Sequence, residues 1–173
     1  MTADAAPHSE VTKSSHDEGG GAGGPAGPTV RAAALVVRDR RLLLVRQDRQ
    51  GRPYWLLPGG GVAFGETLAE ALVREVREEL DLAVVPGAPV ALVEAISDDM
   101  DRYRKHVVHV IIAADLADPD QEPRLGGDTA VLEARFVAAD ELRAMRLTPP
   151  VGDFLRDWLE APTQAMRYLG VRW

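Results

Sequence analysis

The chain contains no cysteine among its 173 residues. Disulfides, thiolate metal sites and a cysteine nucleophile are therefore out of consideration. Aromatic residues make up only 5%, so any core must be mainly aliphatic. No apolar run approaches the roughly 20 residues of a membrane-spanning helix, and the first thirty residues hold no signal-peptide core. A surplus of positive charge is also missing: the net charge is -7. Nucleic-acid backbones are held by basic patches, so this balance argues against such a partner. It also makes a polyphosphate difficult to hold without a cation. The expectation is a cytoplasmic domain that handles a small molecule, with neither nucleic acid nor membrane as partner.

The length suits one domain with a real core. Residues 1–28 are rich in Gly, Ala, Ser and Pro and close on GGGAGGPAGP. They offer too little apolar surface to offset the entropy of ordering, which reads as a disordered tail. From Thr29 the pattern becomes strand-like. TVRAAALVVR (29–38) and RLLLVRQ (41–47) are joined by Asp39-Arg40 as a hairpin. A short strand is expected over 54–57, a turn at Gly59 to Gly61, and a helix over 67–80. Further strands are expected at 90–97, 106–116 and 131–137, with a polar loop over 117–130. Short helices are expected at 139–145 and 150–160. Strands on both sides of an amphipathic helix, with another helix last, indicate an α/β fold with a mixed β-sheet covered on both faces. Residues 29–160 would form the domain and 161–173 a C-terminal extension. The aromatic end of that extension, Tyr168 to Trp173, reads as packing back onto the domain or reaching a partner in a homodimer.

The segment from Gly60 to Leu82, GGVAFGETLAEALVREVREELDL, carries the chemistry. Leu68, Leu72, Val76 and Leu80 recur every fourth residue, the pattern of a helix with one buried stripe. Glu75, Glu78 and Glu79 would then share a neighbouring face, since positions three and four apart are surface neighbours. Clustered like charges cost stability. A hard divalent cation reverses that cost, because Mg2+ prefers oxygen ligands. Arg74 lies one turn before Glu78 and can pair with it. Gly59, Gly60 and Gly61 precede the helix and let backbone approach a metal or phosphate closely.

Gly60, five residues, Glu66, seven residues and then Arg74-Glu75-Val76-Arg77-Glu78-Glu79 closely resembles the signature of the Nudix hydrolases. One defined position departs from it: the second glycine of the signature is Asp81 here. The resemblance covers about residues 29–160 and implies a Nudix-type α/β/α sandwich. It implies metal-dependent hydrolysis of the pyrophosphate bond in a nucleoside diphosphate derivative such as ADP-ribose or a nucleotide sugar, by attack of water at phosphorus. Carried over by position, Glu75, Glu78, Glu79 and the carbonyl of Gly60 would hold Mg2+, with Mn2+ able to substitute. Arg74 would orient the cluster, and Glu66 would brace the loop or join an outer shell. The general base stays open between Glu75 and a loop acid, for which Asp128 and Glu133 lie near the right place and Glu122 is possible. Arg46, Gly59 and Gly61 are the candidate substrate contacts, and the basic turn Arg102 to His106 is a weaker one. His106 and His109 lie three apart in a strand and so face opposite ways, which disfavours a shared metal site. Asp81 leaves a second reading, a nucleotide-binding or sensor module that keeps the fold without turnover.

Overall fold

In β1 (Thr29–Arg38) every residue from Ala32 to Val36 is buried. A strand buried on both faces needs no polar alternation, which explains its continuous apolar run. The computed structural model describes residues 27–96, 106–127, 130–163 and 165–172. The tail expected over 1–28 thus lies almost wholly outside the described residues, as do Arg102 to Lys105, Asp128 and Trp173.

Eight strands form a mixed sheet in the order β3-β2-β1-β6-β5-β8, with β4 added on β1 and β7 on β2. The others are β2 (Arg41–Arg49), β3 (Arg52–Leu56), β4 (Gly59–Gly61), β5 (Val84–Ile96), β6 (His106–Leu116), β7 (Glu133–Val137) and β8 (Arg167–Val171). Strand β1 runs parallel to β6 from Thr29 to Val36, and only its end, Val37 and Arg38, pairs with β2. The chain therefore splits into a long layer around β1, β6 and β5 and a hairpin layer of β2, β3 and β7. Asp39 and Arg40 both have positive φ, at 51° and 58°. That is the geometry of a tight hairpin turn whose twist matches its strands.

Alternate residues of β1 serve opposite cores, as strand geometry requires. Ala32, Ala34 and Val36 pack with Leu72, Val76 and Leu80 of α1 (Leu68–Leu80). Ala33 and Leu35 pack with Phe154, Leu155 and Leu159 of α2 (Gly152–Glu160). One helix thus covers each face.

Several local expectations change. The glycine run is not a turn but an edge strand, pairing antiparallel with β1 through Ala32 and Gly60. The region 139–145 forms only a 3-10 turn at Glu141–Ala144. The segment after α2 keeps to the first of its two expected readings and packs back onto the domain: β8 joins β5 in parallel, and Tyr168 donates its hydroxyl to Glu94 at 2.7 Å. Thr67 is the N-cap of α1 rather than part of it. Its side chain accepts from Glu70 N–H while Glu70 accepts from Thr67 N–H. The sequence Thr-Leu-Ala-Glu is the signal for this reciprocal cap.

At the other end of α1, Asp81 adopts the left-handed backbone conformation, φ 54° and ψ 29°. That is the geometry the signature's glycine implies. The polar loop after β6 closes this end. Arg124 N–H donates to Leu80 O, Gly126 N–H to Glu79 O, and the Gln121 amide to Asp81 O. These bonds satisfy carbonyls that a helix end leaves without partners. Glycine would enter the Asp81 conformation without a steric penalty and without adding negative charge at a helix C-terminus. Asp81→Gly is therefore expected to stabilise the protein by about 0.5–1 kcal/mol with unchanged catalysis. Urea denaturation measures this, and a loss of stability refutes it.

Candidate active site

Arg74 is the centre around which the acidic residues are arranged. Its Nε and one Nη donate to the two oxygens of Glu66 at 2.8 and 2.9 Å. The same Nη donates to the Gly61 carbonyl at 3.0 Å. The other Nη donates to Glu75 at 2.7 Å and to Glu78 at 3.3 Å. Two-pronged pairing of this kind fixes orientation as well as charge. Arg74 holds the Glu66 carboxyl down to a pKa of about 2, helped by the Ala63 N–H. In return Glu66, and then Glu75, raise the Arg74 pKa. Glu66 thereby ties the β4–α1 loop to the helix.

Glu79 lies apart from this arrangement. It is buried, and one oxygen accepts the Gly59 N–H at 2.9 Å. Glu75 lies against Gly60, where any Cβ would overlap its carboxylate. Glu78 projects outward with 58% of its side chain exposed. The expected convergence of the three is thus only partial. Among the described residues no three acidic or histidine side chains are gathered in a cluster ready for a metal. The buried Glu79 and the exposed Glu78 are adjacent in the chain and lie about 100° apart around the helix, a difference in burial that spacing in sequence does not reveal.

The other candidates fare differently. Arg46 pairs with Glu133 at 2.8 Å, and the two face each other in the β2–β7 register. Glu133 starts a strand instead of lying in a loop, so these two candidates occupy each other. Arg46 is also opposite Trp55, on the face of the hairpin away from Gln47 and Tyr54. Glu122 is exposed and pairs with Arg38 at 2.8 Å. Asp128 lies outside the described residues. His106 meets Glu94 at 2.8 Å, whereas His109 is buried, so the two serve separate environments.

A cleft of about 1010 Å³ opens beside Gly61. Gly61, Arg31, His109 and Val93 stand side by side across four strands. Arg31 and His109 of this row line the cleft, and the hairpin residues Gln47 and Tyr54, joined at 2.7 Å, form another wall. Neighbouring positions of a strand face opposite ways. Edge strand β4 therefore turns Gly60 toward Glu75 and Gly61 toward the cleft. Sequence reading gave no site role to Arg31, His109, Gln47 or Tyr54, although it weighed His109 as a metal ligand and set it aside. The only signal was alternation along the strands, which does not say what lies opposite.

Burial, and next the charge of Arg31, pushes the His109 pKa down from 6.5 to about 4. Between those values the folded protein keeps His109 neutral while the unfolded chain takes up a proton. Stability is therefore complete above about pH 6.5 and falls with pH, by up to ~3 kcal/mol near pH 4. His109→Gln is expected to flatten that dependence. Denaturation at pH 7 and at about pH 4.5 measures it, and equal losses in the two proteins would exclude His109 as the cause.

A family model described as the NUDIX domain matches residues 27–158. An ADP-ribose pyrophosphatase of Methanocaldococcus jannaschii is 35% identical over 92 residues, which cover 51% of this chain and 52% of that protein. The chain thus spans about half the length of this curated relative. The crystal structure of an ADP-ribose pyrophosphatase from Streptococcus suis has a TM-score of 0.61 at 22% identity, covering 84% of this chain and 99% of that one. A MutT NUDIX hydrolase from Burkholderia pseudomallei has a TM-score of 0.59 at 29% identity, covering 79% and 94%. The acidic helix behind a glycine edge strand, the mixed sheet with a helix on each face and the match to most of the chain agree: this protein belongs to the Nudix family.

Proposed function

We propose that the protein hydrolyses the pyrophosphate bond of a nucleoside diphosphate derivative, in the class of ADP-ribose or a nucleotide sugar, with Mg2+ or Mn2+. The observation that carries this reading is the position of β4. It has the Glu75 carboxylate on one side of Gly60 and the open cleft beside Gly61. The donor chemistry suits a hard cation: three carboxylates within two turns of one helix, and a backbone carbonyl whose residue has no side chain to intervene. Glu75, Glu78, Glu79 and the Gly60 carbonyl would hold it. When bound, the cation supplies Lewis-acid stabilisation of the charge on the phosphoryl oxygens. Arg74 keeps Glu75 and Glu78 oriented, and Glu66 keeps Arg74 in place. The cleft admits the nucleoside side of the substrate. Glu133, engaged by Arg46, and Glu122, engaged by Arg38, are poorly placed to activate water, which leaves Glu75 and Asp128 as candidates for the base. The sensor reading rested on Asp81, and the left-handed backbone there takes nothing from the helix that carries the glutamates.

A screen of nucleoside diphosphate derivatives with Mg2+ and with Mn2+, scored by product mass, tests the reading. Absence of turnover on every member refutes it. Millimolar Mg2+ is also expected to raise the melting temperature, and EDTA to reverse the rise. A ligand specific to the folded state adds about 2.7 kcal/mol at one hundred times its Kd. A flat melting temperature across the titration argues against binding by these carboxylates.

A further inference from the structure

The walls of the cleft differ in charge from the rest of the molecule. The chain carries 27 Asp and Glu against 20 Lys and Arg. Yet no carboxylate is among the described residues lining the cleft, while Arg49, Arg52 and Arg146 all line it. Several arginines elsewhere are matched by acids, Arg38 with Glu122, Arg46 with Glu133, Arg74 with Glu66 and Arg135 with Glu141. Arg40, Arg77, Arg124 and Arg143 are not matched by any described acid, but they are scattered rather than gathered at one cleft. Arg49, Arg52 and Arg146 have no side-chain hydrogen bond or ion pair with any described residue.

Two of the three are placed against the interests of folding. Arg49 and Arg52 are direct partners in the β2–β3 register. Directly opposed residues share a face of the hairpin, and like charges there are destabilising. The same face carries Gln47 opposite Tyr54, so the arginines continue a polar wall toward the hairpin tip. An anion between them reverses the sign of the interaction. The guanidinium fork suits phosphate oxygens in particular, which accept paired hydrogen bonds. The cleft is also at the upper limit of small-molecule sites, which occupy roughly 300–1,000 Å³. It has room for more than a nucleoside.

We propose that Arg49, Arg52 and Arg146 form an anion subsite that receives a second phosphate group of the substrate, one separate from the diphosphate that is cut. The inference rests on the reading of the cleft as the nucleoside site. It narrows the substrate class to nucleoside diphosphate derivatives with a further phosphate, on the ribose or at the end of a longer phosphate chain.

Titration calorimetry in EDTA tests this without any turnover. The probes are AMP, adenosine 2′,5′-bisphosphate, adenosine 3′,5′-bisphosphate and ATP. At least one of the last three is expected to bind about tenfold tighter than AMP, the scale of one charge-assisted hydrogen bond. Preference for a bisphosphate identifies a ribose phosphate, and preference for ATP identifies a chain. In Arg49→Gln/Arg52→Gln, and separately in Arg146→Gln, the ratio to AMP should fall toward one. The double variant should melt no lower than the parent, because it removes a like-charge pair, and this checks that it is folded. Equal binding of all four probes, no binding of any, or a ratio unchanged in both variants overturns the proposal. A phosphate preference without hydrolysis of any substrate would leave the subsite standing and remove the hydrolase reading. Hydrolysis without the preference would do the reverse.

Discussion

Glu79→Gln is expected to lower turnover about a hundredfold while leaving the melting temperature nearly unchanged. The two halves of this result have separate causes. Glutamine keeps the oxygen that accepts the Gly59 N–H, so the buried contact between α1 and β4 persists. It also removes one of three like charges from the helix, which is mildly favourable. What it loses is one of the negative charges that strengthen the hold of the site on a divalent cation. Turnover within tenfold of the parent at saturating Mg2+ would remove Glu79 from the metal site. A collapse in stability would show instead that the bond to Gly59 depends on the charge.

Gly59→Ala should do the opposite and destabilise the fold by about 3 kcal/mol, a fall of roughly 5–10 °C in melting temperature. Gly59 has φ 136°, outside the range that L side chains adopt. A Cβ there would overlap the Ala32 carbonyl oxygen and lie 3.1 Å from the Ala33 Cα. Both belong to the central strand, so neither can give way cheaply. Its neighbour provides the control. A Cβ at Gly60 first meets the end of the Glu75 side chain, which can swing aside, rather than backbone. Gly60→Ala should therefore stay folded and lose activity, because Glu75 is displaced. A melting temperature of Gly59→Ala equal to the parent would refute the strain argument.

Helix α1, the β1–β2 hairpin and the left-handed backbone at Asp81 were all legible in the sequence. Each depends on residues close together in the chain. Leucine and valine at every fourth position select one helix face whatever packs against it, and Asp39-Arg40 between apolar runs can close only a short turn. The reciprocal Thr67–Glu70 cap is local as well, and its three-residue spacing could have been recognised.

The site beyond the helix was less legible, for one physical reason: it is made by partners far apart in sequence. Arg46 and Glu133 are 87 residues apart, and nothing in either neighbourhood marks them as a pair. The glycine run became an edge strand because β1 lay beside it with unpaired backbone, not because of its own preference. Glu75, Glu78 and Glu79 were placed on one face by spacing alone, but β4 covers Glu79 and leaves Glu78 exposed. By itself the sequence determined the family signature and the helix that carries it, through residue types at fixed local spacing. Only the tertiary structure decided which side chains share the site. Burial, charge neighbours and the cleft arise where strands distant in sequence are brought into register, and local pattern holds no record of that register.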